Sequence, residues 1–131
     1  MHYKMRDQIR FKIGKEEKNI QEKWIEIPEG TEHIQMMIEM PEEFQYMAFL
    51  FLEDPKKEIR FQKLLGYGQQ NPGIGKSTKD TTIGGVPGEI YPGTWKIGIG
   101  IFTEYVAQGL GEQTGEIVLT VSDRKDEVSD P

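Results

Sequence analysis

Ile9, Phe11 and Ile13 alternate with Arg10 and Lys12, and the same two-residue rhythm recurs along the chain. Ile34, Met36, Ile38 and Met40 alternate with Gln35, Met37 and Glu39. Trp95, Ile97, Ile99 and Ile101 alternate with Lys96, Gly98 and Gly100, and Ile117, Leu119 and Val121 alternate with Val118 and Thr120. Residues two apart on a strand share a face, so each apolar set predicts a strand with one side turned to a core. Trp24 to Ile27 and Ile59 to Phe61 are shorter candidates. Met47 to Leu52 is apolar on both parities, the pattern of a central strand.

The breaks between these runs carry turn chemistry: Pro28-Glu29-Gly30, Met40-Pro41, Asp54-Pro55 and Pro92-Gly93. Helical periodicity is nearly absent. Lys15 to Lys23, with Ile20 and Trp24 at helical spacing, predicts at most a short surface turn or helix. The expected fold is therefore all-β: an antiparallel, jelly-roll-like β-sandwich of about seven to nine strands. The sandwich is expected over residues 1–121, with a charged linker or tail over 122–131. Thirteen of the fifteen glycines lie between Gly66 and Gly115. Gly66 to Gly93 reads as one long loop with a short strand near Thr82. If the strand holding Met36 to Met40 lies at an edge, it can pair with a second copy. Gly98 and Gly100, inside a strand, mark a bulge or a close approach of other atoms.

Composition removes several chemistries. The 131 residues contain no cysteine, which excludes thiolate zinc sites, iron–sulfur clusters, thiol catalysis and disulfides. A net charge of −6 argues against nucleic acid and anionic membranes as partners. The first twelve residues lack an apolar signal core. The longest apolar run, Tyr46 to Leu52, is seven residues, against about 20 for a membrane helix. A cytoplasmic protein is the expectation.

No catalytic, cofactor or metal residue is expected. Gly75-Lys76-Ser77-Thr78 ends like a phosphate-binding loop, but Gln70 stands where that motif needs its first glycine, and Pro87 and Gly84-Gly85 follow instead of a helix. The two histidines, His2 and His33, are remote in sequence. His33 falls on the polar parity at a strand start and reads as a surface residue. Glu53-Asp54 and Asp123 to Asp130 are dense in carboxylates but read as a charged turn and a solvated tail. No serine sits in a Gly-x-Ser-x-Gly turn.

Two sets of residues stand out for other reasons. Tyr67 and Tyr91, with Asn71 between them and Tyr105 beyond, could stack and orient a sugar, or could cap the core with their hydroxyls in water. Trp95 shares parity with Ile97, Ile99 and Ile101, so it reads as core. Its loss to alanine should cost about 3–5 kcal/mol.

Gly84-Gly85-Val86-Pro87-Gly88-Glu89-Ile90-Tyr91-Pro92-Gly93-Thr94-Trp95 resembles a loop-and-strand signature in the N-terminal domain of PHP-type metallohydrolases, in the branch related to carbaryl hydrolase. Ile27-Pro28-Glu29-Gly30 and Leu50-Phe51-Leu52-Glu53-Asp54-Pro55 resemble two further features of that domain, in the same order. Pro92-Gly93-Thr94-Trp95 before a strand also resembles other sandwiches, including bacterial pre-peptidase C-terminal domains. The chain departs from the family at Lys56-Lys57-Glu58-Ile59-Arg60, where a segment with Gly and Trp is usual. The resemblance implies a non-catalytic accessory domain whose partner is a catalytic domain of the same parent chain. Divalent metals would belong to that following domain, beyond residue 131. Pro92, Gly93, Thr94 and Trp95 would anchor the fold. A rival reading is an independent carbohydrate- or ligand-binding module, with a sugar as its partner.

Overall fold

A computed structural model of the chain describes residues 5–66 and 68–123. It contains nine strands: β1 (Arg6–Ile13), β2 (Ile20–Ile27), β3 (His33–Met40), β4 (Ala48–Glu53), β5 (Ile59–Leu64), β6 (Gly68–Gln70), β7 (Gly73–Gly75), β8 (Gly93–Ile101) and β9 (Gly115–Ser122). One short helix, α1 (Thr103–Leu110), joins β8 to β9.

The strands form two antiparallel sheets. The first runs β1-β9-β3-β6, with β7 also on β3. The second runs β2-β8-β4-β5. β6 pairs with the end of β3 and β7 with its start, so the two are one edge strand broken at Asn71-Pro72. Counted that way, each sheet has four strand positions, and the chain changes sheet at every connection except the β4–β5 hairpin. This is the jelly-roll order, in which the long crossings leave few edges unpaired.

Alternation explains why these segments are strands. Ile9, Phe11, Ile13, Ile34, Met36, Ile38, Ile117, Leu119 and Val121 point inward from the first sheet. Ile25, Ile27, Leu50, Leu52, Phe61, Trp95, Ile97 and Ile99 meet them from the second. Phe44, from a short turn after β3, closes one end and is fully buried. It can do so because position 115 is glycine: a Cβ there would stand 2.8 Å from the Phe44 ring.

Several sequence expectations are corrected. Lys15 to Lys23 is a turn followed by β2, with no helix. Ile20 and Trp24 are four apart, a spacing that shares a face in a strand as well as in a helix. The strand holding Met36 to Met40 is interior, between β9 and the β6/β7 edge, so it offers no free edge to a second copy. The glycine-rich stretch holds two short strands ahead of Thr82, at β6 and β7. Near Thr82 the chain forms a turn, and Gly85 makes a single bridge to Phe61. Helix α1 was not foreseen; over eight residues it is too short to show a period. The expectation that β4 is central holds, since it lies between β8 and β5. β9 ends at Ser122, and the tail expected from there lies outside the described residues after 123.

Candidate functional site

Three neighbourhoods gather polar or exposed side chains: the Asp54-Pro55 turn with the start of β8, a polar corner on the first sheet, and the outer face of the second sheet.

The first is a lock. The Asp54 carboxylate accepts the backbone N–H groups of Lys56 (2.8 Å) and Glu58 (3.1 Å), closing the Asp-Pro turn. Its other oxygen faces Arg60 Nη1 at 3.4 Å. Arg60 is 3 % exposed and also donates to the carbonyls of Val86 (3.1 Å) and Glu89 (2.8 Å). A buried guanidinium needs this many acceptors to offset its lost hydration. The Arg60 guanidinium lies 5.4 Å from the Trp95 ring centroid, and Trp95 Nε1 donates to the Tyr91 carbonyl at 2.7 Å. One arginine thus ties β5, the loop before β8 and the core tryptophan together. Gly93 has φ +123, which a side chain would strain, and Thr94 donates its hydroxyl to Glu26 across the strand pair. Pro92 is exposed.

Asn71 and Tyr91, two of the residues singled out for sugar binding, lie on different sheets. Asn71 sits in the break of the first sheet's edge, accepting from Gln69 at 3.1 Å. Tyr91 precedes β8 in the second sheet, and Lys56 Nζ lies 4.2 Å from its ring centroid. Tyr67 lies outside the described residues, as does His2. Tyr105 falls within α1.

At the polar corner, His33 is buried at 8 % exposure, not at the surface. Its side chain has the outward parity, opposite to Ile34, but the segment from Gly75 to Thr82 folds back over it. Gln35 Nε2 donates to the carbonyls of Asn71 (3.0 Å) and Pro72 (3.2 Å), so its Oε1 must accept. His33 Nε2, 3.0 Å from that oxygen, therefore carries a proton. Gly73 makes room for the pair, since a Cβ there would come within 2.7 Å of His33 Nε2. His33, Asp80, Lys76 and Asp123 line a cleft of about 520 Å³. Among the described residues no group of three or more His, Asp or Glu is placed to hold a metal.

The phosphate-loop look-alike is occupied by its own side chains. Ser77 donates its hydroxyl to Asp80 at 2.9 Å, and Lys76 lies 3.8 Å from Glu32 and 3.9 Å from Glu89. An incoming phosphate would meet three carboxylates. A three-residue turn, Thr78–Asp80, stands where the motif needs a full helix.

The outer face of the second sheet was not picked out from the sequence. Trp24 is 60 % exposed there and Ile20 61 %. Lys96 pairs with Glu22 (3.1 Å) and Glu53 (3.7 Å). The hydrogen bond to Glu22 holds the Lys96 ammonium above the ordinary lysine range, against a smaller opposing effect of burial. Phe51 lies across β8 where Gly98 has no side chain: a Cβ at that position would stand 1.9 Å from the ring. The close approach expected of that glycine is an aromatic ring. The signal available in the sequence was Trp24 itself, on the parity opposite to Ile25 and Ile27.

No family model matches the chain, and no curated protein matches it. Among solved structures it is similar to PliG from Aeromonas hydrophila, a periplasmic lysozyme inhibitor of g-type lysozyme, at 13 % identity and a TM-score of 0.48, over 89 % of this chain and 84 % of that one. It is also similar to the CspB protease of Clostridium perfringens, at 13 % identity and a TM-score of 0.50, over 90 % of this chain. The chain spans 26 % of the protease's length. At this identity the likeness concerns the fold alone, and the strand order of the chain itself makes the class a jelly-roll β-sandwich. No helix among the described residues is long and apolar enough to cross a membrane.

Proposed function

We propose that this chain is a non-catalytic accessory domain that works beside a metal-dependent phosphoesterase or related hydrolase of the PHP type, encoded in the same parent chain. The observation that carries the reading is the use made of the signature residues. Gly84 to Trp95, the stretch that resembles the family's N-terminal domain, forms the loop held by Arg60 and the strand start locked by Trp95. The two other resembling segments also sit at structural joints: Pro28 accepts the Thr31 hydroxyl at 2.8 Å, and Asp54 is the buried turn carboxylate. The departing segment Lys56 to Arg60 supplies the arginine of the lock, so its place in the fold is filled by different chemistry.

In this reading the domain packs against the catalytic unit or shapes access to it, and metals belong to that unit. A cytoplasmic location is part of the same proposal. The test is the reading frame of the parent gene. It should continue past the Pro131 codon into histidine- and carboxylate-rich metal motifs, and a stop codon there would sink the reading. Given such a frame, deleting residues 1–121 should lower phosphoesterase turnover or alter substrate access while leaving metal content unchanged.

A further inference from the structure

We infer that the outer face of the second sheet is a binding site for a neutral, hydroxyl-rich sugar, centred on Trp24 and the Glu22–Lys96–Glu53 row. The site lies on regular strands. Trp24 of β2 pairs with Lys96 of β8, and Lys96 pairs with Glu53 of β4. All three project outward, because Ile25, Trp95 and Leu52 next to them point into the core. At about 4.8 Å per strand step the row is about 10 Å wide, enough for a pyranose ring. Trp24, Glu53, Lys96, Thr94, Pro55 and Lys57 line a cleft of about 400 Å³ here. That is within the range of small-ligand clefts, about 300–1,000 Å³.

The side-chain chemistry selects the ligand class. An indole 60 % exposed adds little to the core, whose share of β2 is met by Ile25 and Ile27. It offers an apolar face on which the C–H side of a sugar ring can stack. Beside it, Lys96 stands between Glu22 and Glu53, so donors and acceptors alternate over a few ångströms. A hydroxyl both donates and accepts and can join such a pair without breaking it. A free anion would have to displace a glutamate, and a cation would have to displace the lysine. Further along β8, Gly98 lets the Phe51 ring lie across the strand, and Gly100 has no atom within 4 Å of where a Cβ would be. The location differs from that of Asn71, in the edge of the first sheet, and of Tyr91, before β8.

The chain has two tryptophans, which makes the test direct. Trp24 reports from the site, while Trp95, with its indole N–H held by the Tyr91 carbonyl, serves as an internal control. The ¹⁵N-labelled protein would be titrated to millimolar levels with cellohexaose, xylohexaose, laminarihexaose and mannohexaose, and with oligogalacturonate as the anionic comparison. The expected result is movement of the Trp24 indole resonance with at least one neutral oligosaccharide and a still Trp95. Trp24→Ala should weaken that binding at least about tenfold with an unchanged melting temperature, and Lys96→Met, which keeps the indole, should weaken it too. Three results would overturn the site: a Trp24 resonance unmoved by every neutral probe, movement with oligogalacturonate alone, or binding that survives Trp24→Ala intact. The inference is independent of the accessory-domain reading, whose reading-frame test stands whichever way this one falls.

Discussion

Arg60 Nη1 and Asp54 Oδ2 stand 3.4 Å apart with side chains 4 % and 0 % exposed. The pair joins the Asp-Pro turn to the loop before β8, because the same guanidinium also binds the Val86 and Glu89 carbonyls. Removing one member of a buried pair strands the other's charge, which costs about 3–5 kcal/mol. Asp54→Ala should therefore lower unfolding free energy by about that amount in urea titrations. Asp54→Asn keeps an acceptor for the Lys56 and Glu58 amides and should lose less. A loss under about 1 kcal/mol for Asp54→Ala would remove the pair from its anchoring role.

Trp95 separates packing from hydrogen bonding. Trp95→Ala opens a cavity in a fully buried site and should cost about 3–5 kcal/mol. Trp95→Phe keeps most of the volume but leaves the Tyr91 carbonyl without its donor, which should cost about 1–3 kcal/mol. Thermal unfolding of both variants checks the order. Equal losses would mean that the indole N–H contributes most of the effect.

Gln70 carries a predicted gain. It pairs with Ile38, whose side chain points into the core, so its amide points the same way. Among the described residues neither buried amide atom has a hydrogen-bond partner. A buried unsatisfied polar group costs about 1–3 kcal/mol. Gln70→Leu should raise the urea midpoint, and a lower midpoint would show that the amide has a use in the native state.

The lysine pairs contribute to stability in a pH-dependent way. Lys96 is raised above its ordinary value by its hydrogen bond to Glu22, and Lys15 by its hydrogen bond to Glu112. A lysine whose folded-state pKa exceeds its unfolded value contributes stability that is fully present below the unfolded value and is lost as pH rises through the folded one. Unfolding free energy should fall on the alkaline side of the ordinary lysine range. Lys96→Met should flatten that fall in a pH series of denaturation curves, with little change at neutral pH beyond the loss of a surface pair. High salt should reduce the difference between the two proteins.

Alternation along Ile9 to Ile13, Ile34 to Met40, Trp95 to Ile101 and Ile117 to Val121 was enough to determine four strands, their inward faces, the all-β class and the burial of Trp95. These properties are local, because a period of two is written into consecutive residues. Which strands become neighbours is settled by contacts between residues far apart in the chain. The structure places β3 between β9 and the β6/β7 edge, where an edge strand had been an option. His33 has the polar parity of a surface residue and is buried because a loop some forty residues further on folds over it. Arg60 and Asp54 look like ordinary turn charges until the Val86 and Glu89 carbonyls arrive from another segment. Trp24 lies outside because Ile25 and Ile27 take the inward parity of β2. The sequence by itself determined the faces of the strands; the tertiary structure decided which polar groups are covered, because that depends on the second sheet and the long crossings that bring it into place.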